Sequence, residues 1–217
     1  MIWVLFLYFF MECTISRKAI TETVFFQVKA PVQTFLNGSL VGGGLVLLMI
    51  SATLLTGAIS VNALTWNPSA IIPTLLLYFF AMLFTATSEE LAFRGYSLSQ
   101  LRAGIGNHGA VFVISILFGL LHLPSMQYAF MAFLVGIILG YAFLLYGIYY
   151  VIGWHFCWNW IETVVFSGKI VDYQMNNILL AGNRLQSPDQ EGILSYPILI
   201  VAAIFYFMKF QRNKSLS

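Results

Sequence analysis

The chain has 217 residues, of which 60% are hydrophobic and only 8% charged, where a soluble globular domain carries roughly 25% charge. That balance excludes a soluble domain, and a net charge of +2 leaves no basic footprint for nucleic acid. The two cysteines, Cys13 and Cys157, make no disulfide framework and read as small buried hydrophobes.

Ile2 to Met11 is apolar and ends at Glu12. Ten residues of helix cover about 15 Å, half of a ~30 Å hydrocarbon core, so this stretch reads as a short or partial span. It has no basic leader and no small-residue cleavage site, unlike a cleavable signal peptide. Residues 12–34 are polar and mixed. Phe35 to about Val61 is a predicted span, and its Gly42-Gly43-Gly44 predicts close backbone approach to a neighbouring helix. Asn62 to Ser69 reads as a short loop, and the next span starts near Ala70. Gln100 to His108 reads as a connection. Ala110 to Phe166 is 57 residues of almost unbroken apolar chain, right for three spans of about 19. Leu123-Pro124-Ser125 supplies one break, because a residue before proline is pushed out of the helical region. Tyr146-Gly147 supplies the other. Residues 167–191 form the longest polar stretch, and Ile193 to Phe210 is the last span. These readings predict an all-α polytopic membrane bundle of six to eight transmembrane helices, a single membrane-embedded domain over 1–217.

The basic residues set its orientation. Arg17, Lys18, Lys29, Arg94, Arg102, Lys209, Arg212 and Lys214 fall on one side, and Lys169 and Arg184 on the other. The positive-inside rule then predicts a cytosolic C-terminus, with the mouth of the Glu89 region on the same side. The expected location is the cell membrane.

The second predicted span runs into Ser88-Glu89-Glu90-Leu91-Ala92-Phe93-Arg94-Gly95. An ionised side chain near the bilayer centre costs about 2.5–3.5 kcal/mol even on the lenient insertion scale, so three together imply a use. Read as helix, Glu90 and Arg94 are four apart in the better order for an ion pair. Glu89 is turned about 100° away and is left to face a cavity. Two histidines, His122 and His155, lie in apolar spans, whereas His108 sits in a loop and reads as an interfacial residue. His155 and Asn159 are four apart, so their polar ends share one helix face.

Glu-Glu-x-x-x-Arg, then Phe-x-x-x-His, then His-x-x-x-Asn, in that order on hydrophobic segments, resembles the CPBP family. That family contains the type II CAAX prenyl endopeptidases and the Abi proteins. The matching residues are Glu89, Glu90 and Arg94; Phe118 and His122; His155 and Asn159. The resemblance covers a motif-bearing core of about residues 70–168. The N-terminal region is short for the family's eight-helix bundle.

The resemblance implies intramembrane proteolysis of a peptide or protein substrate, lipidated or membrane-associated, at a Glu/His/His/Asn site open to the cytosolic side. The residue chemistry agrees. Glu89 is the expected general base for water. His122 would orient that water and carry a proton to the leaving amine. His155 and Asn159 suit an oxyanion-stabilising pair. Glu90 and Arg94 would support the turn that aims Glu89. No cofactor is required on this reading. Zinc is the rival, with Glu89, His122 and His155 as ligands and an open fourth position, although no His-Glu-x-x-His helix is present. A transporter or scaffold using the same polar cluster as a proton relay is the non-catalytic alternative. Asn159 argues against it, since a relay needs no amide that cannot titrate.

Overall fold

The computed structural model describes residues 10–15, 29–64, 67–123, 125–166, 170–177, 180 and 192–215. Most of Ile2–Met11, together with Arg17, Lys18, Lys169 and Arg184, lies outside them. The first long helix, α1 (Pro31–Leu55), starts with proline in its first turn, where a missing N–H removes no helical bond. It stops before Gly57, whose φ of 67° is left-handed. The chain then forms β1 (Ile59–Leu64) rather than more helix. This strand pairs antiparallel with β2 (Val171–Met175), with a bulge between Val61 and Ala63. The expected all-α fold is corrected to that extent. The reason is visible in the residues. Ile59, Val61, Val171 and Tyr173 alternate with Ser60, Asn62, Asp172 and Gln174, the period of a strand.

α2 (Pro68–Glu90) leads directly into a π-helical segment (Leu91–Leu98) and then α3 (Ser99–Leu120). The three form one long helical run, broken only at Gly106 (φ 73°, ψ 171°). There the chain reverses. Arg94 lies twelve residues before Gly106 and Phe118 twelve after it, yet the guanidinium sits 4.6 Å from the Phe118 ring centre. A straight helix would hold residues 24 apart about 36 Å from one another. So the expected connection over Gln100–His108 contracts to one glycine, with residues 102–106 exposed at the tip.

The 57-residue apolar run divides as the sequence predicts. α3 ends at Leu120, α4 spans Met126–Tyr146, and α5 spans Ile148–Phe166. Ser125 caps α4 by accepting a bond from the Tyr128 N–H at 3.2 Å. Gly147, at φ 81°, is the whole turn between α4 and α5. The last helix is α6 (Ser195–Ser215). Among the described residues, Pro31–Leu55, Ile71–Leu120 and Met126–Tyr146 are long and apolar enough to cross a membrane.

α1 lies parallel to α5. A Cβ at Gly38 would strike the Tyr150 carbonyl, one at Gly42 the Trp154 carbonyl, and one at Gly153 the Phe35 carbonyl. This is small-residue packing of the kind membrane helices use to approach closely. Gly43 meets Cys157, while Gly44 faces open space, so the contact uses two of the three consecutive glycines.

The C-terminal part of α6 lies beside the Gly106 and Gly147 turns. Gln211 Nε2 is 3.2 Å from His108, and the Lys209 ammonium sits 5.3 Å from the Tyr146 ring. Its start lies at the other end, where the Tyr196 hydroxyl donates to the Gln127 carbonyl.

Candidate active site

Glu89 and Glu90 are the last two residues of α2, in ordinary α geometry. The wider π turn begins one residue later and carries Arg94. Within it the Ser97 hydroxyl, and just beyond it the Ser99 hydroxyl, donate to carbonyls five residues back, those of Ala92 and Arg94. Insertions of this kind recur at functional sites. Glu90 and Arg94 are both fully buried, and Arg94 Nη1 donates to Glu90 Oε1 at 2.9 Å. The guanidinium also faces the rings of Phe118 and Phe93. Counted above among the cations flanking the spans, Arg94 is instead interior. The remaining described cations at the α6 end of the bundle are Lys29, Arg102, Lys209, Arg212 and Lys214.

His155 enters the same network, which the sequence did not reveal. Its Nδ1 lies 2.8 Å from Glu90 Oε1. A carboxylate oxygen only accepts, so Nδ1 carries the proton and donates. In neutral His155 the other nitrogen, Nε2, then has a bare lone pair. Nε2 stands 3.9 Å from Glu89 Oε2, beyond hydrogen-bond reach. His122 is fixed in the same tautomer by another acceptor: its Nδ1 donates to the Phe118 carbonyl at 2.7 Å. The His122 ring is held edge-to-face against Tyr128, centres 4.5 Å apart.

Glu89, His122, His155 and Asn159 all line one cavity of about 310 Å³ between α2, α3, α4 and α5. Glu89 stands seventeen residues before Gly106 and His122 sixteen after it, so the hairpin brings both to one level. His155 is only eight residues from Gly147. The hairpin tip therefore extends roughly 12 Å further along the bundle axis than the Gly147 turn, at 1.5 Å per residue.

From His155 the lining continues past Asn159 to Glu162 and Thr163, and from His122 past Tyr128 to Met131. It thus occupies the half of the bundle away from Gly147 and the C-terminal tail. The helical run continues past Glu90 through the π segment and into α3, so the acidic motif lies inside the run, not at its end.

Glu162 is a further polar residue of the cavity, 6% exposed, whose carboxylate accepts from Trp158 Nε1 at 3.2 Å. The signal for it was present: positions 155, 159 and 162 form one helical stripe. Among the described residues, no group of three His, Cys, Asp or Glu side chains is placed to hold a metal ion.

No curated protein and no solved structure matches the chain. Residues 69–161 match the family described as Type II CAAX prenyl endopeptidase Rce1-like. The matched stretch holds Glu89, Glu90, Arg94, Phe118, His122, His155 and Asn159, and ends one residue short of Glu162. Over residues 69–161 the chain is therefore similar to the Rce1-like type II CAAX prenyl endopeptidases, a family of peptidases.

Proposed function

We propose that the protein is a multi-pass intramembrane endopeptidase that uses Glu89 as the base for water-mediated peptide hydrolysis. The observation that carries this reading is the single cavity bordered by Glu89, His122, His155 and Asn159. Glu89 takes a proton from water as the oxygen attacks the carbonyl carbon. The bare Nε2 of His122 accepts a hydrogen bond from the same water and so orients it. The tetrahedral oxyanion is met by the Asn159 amide, a donor in every protonation state, and by His155 Nε2 whenever that ring carries a second proton. The carbon–nitrogen bond then breaks as the proton passes to the leaving amine, giving a carboxylate and an amine. Glu90 does not touch substrate. It holds His155 in one tautomer and balances Arg94.

The family's name points to prenylated CAAX proteins; the coarser class is a peptide or protein presented at the membrane. The five described cations near one end of the bundle favour a cytosolic C-terminus. A reporter fused after Ser217 should then be active in the cytosol, and activity only outside it would reject the orientation.

The hydrolytic reading is tested with purified protein in lipid nanodiscs and membrane-anchored peptides, prenylated and unmodified, with products identified by mass spectrometry. New termini formed by the wild type and absent with Glu89→Gln support it. Identical products from both proteins would refute it.

A further inference from the structure

A second hollow, a groove of about 680 Å³, runs along the outside of the bundle between α1 and α6. Leu45 and Leu48 form one wall, Val201 and Phe205 the other, and Tyr150 and Tyr206 the floor. Val201, Phe205 and Lys209 follow one another at four-residue spacing, so they share a face of α6. The groove is open. Leu48 is 53% exposed, Phe205 56% and Val201 67%. Its lining on α6 runs from Pro197 to Lys209, a length of about 18 Å at 1.5 Å per residue. The Tyr150 and Tyr206 hydroxyls bond to each other at 2.8 Å, so the floor asks for no polar partner.

A second observation, at one end of the groove, points to a ligand. The Lys209 ammonium lies 5.3 Å from the Tyr146 ring centre and 5.7 Å from that of Phe205. The two rings hold it at the groove end by cation–π attraction. Lys209 is half-buried, and among the described residues no carboxylate pairs with it and no acceptor meets its N–H donors. An ammonium has donors and no acceptor, so one placed this way calls for an anion. Arg212, exposed, stands three residues further toward the helix end.

We propose that this groove binds one anionic phospholipid of the bilayer, with an acyl chain between α1 and α6 and the phosphate on Lys209. An extended peptide would leave backbone N–H and C=O groups without partners along these apolar walls, whereas a hydrocarbon chain has none to satisfy. The phosphate brings both the charge and the acceptor oxygens that Lys209 lacks. Basic pockets between membrane helices on the cytoplasmic side are suited to anionic headgroups, and the anionic lipids are concentrated in that leaflet. Lys209 lies at the end of α6 that the described cations assign to the cytosol. The inference does not rest on the proteolytic reading.

The test places the full-length protein in nanodiscs of phosphatidylcholine and phosphatidylglycerol and counts retained lipids by native mass spectrometry. The wild type should keep one phosphatidylglycerol, favoured over phosphatidylcholine by at least about fivefold at equal mole fraction. Lys209→Gln should bring that ratio toward one, and Lys209→Arg should restore it. Val201→Trp, which fills the groove and leaves the ammonium in place, should cut phosphatidylglycerol retention by a similar factor. Equal retention of the two lipids by the wild type overturns the proposal, whether or not any variant folds. So does a preference that survives Lys209→Gln, which would assign the anion to the exposed tail. A preference untouched by Val201→Trp also overturns it, since the headgroup would then bind without the groove. A wild type that keeps neither lipid and appears at the mass of a dimer would give the groove to a second copy of the chain, against the proposal.

Discussion

Glu89 is 36% exposed, lines the cavity and stands 3.9 Å from His155 Nε2; Glu90, one residue on, is fully buried, with one oxygen accepting from both Arg94 and His155. The two carboxylates share a helix and differ by one step of about 100° around it. That step separates a group that can exchange protons with a bound molecule from one that holds other groups in place. Removing the charge of Glu89 leaves no buried counter-ion behind. Removing that of Glu90 leaves a guanidinium uncompensated among apolar rings. The face of a polar residue in the bundle, more than its chemistry, decides whether it governs rate or stability.

Four perturbations sharpen or break this contrast. The largest effect on folding is expected at Arg94, where Arg94→Met strands the Glu90 carboxylate. Breaking one side of a buried pair costs about 3–5 kcal/mol, read as lost resistance to denaturant in mixed micelles. A change within about 0.5 kcal/mol would mean that the pair is not interior. Asn159→Ala works on the cavity face instead. It should lower kcat by roughly 10²–10³-fold, about 3–4 kcal/mol, with KM little altered, as a lost oxyanion donor does. A loss confined to KM would move Asn159 to ground-state binding. Gly147→Ala tests the turn that sets where α5 begins. Forcing a left-handed φ on alanine costs about 1–2 kcal/mol of stability, and the relative rates on different peptides should stay the same. The smallest effect is expected from strong chelators, which should leave the wild-type rate within about twofold; full loss restored by zinc would make Glu89, His122 and His155 metal ligands.

Much of the architecture was legible in the residues. Pro124 and Gly147 divided the long apolar run because each acts locally, one on its neighbour's backbone and one through its own φ. The motif residues were legible because charged and imidazole side chains are rare in apolar spans. Other features depended on partners distant in sequence. The reversal at Gly106 was hidden among other glycines and polar residues that read equally well as a loop. The strand pair needed β1 and β2 to meet across more than a hundred residues. The bond from His155 to Glu90 joins two helices, and no local pattern announces it. The π segment leaves Glu90 and Arg94 at the spacing of an α-helix, so the motif looked regular. Glu162 was readable from its spacing but lay outside the motifs that framed the reading.

The most direct test compares Glu89→Gln with Glu90→Gln in one assay, recording the cleavage rate and resistance to unfolding of each. Glu89→Gln should lose about 10²–10⁴-fold in kcat, the range for a removed general base, and unfold like the wild type. Glu90→Gln should unfold more easily by an amount comparable to Arg94→Met. Wild-type cleavage by Glu89→Gln would contradict the account.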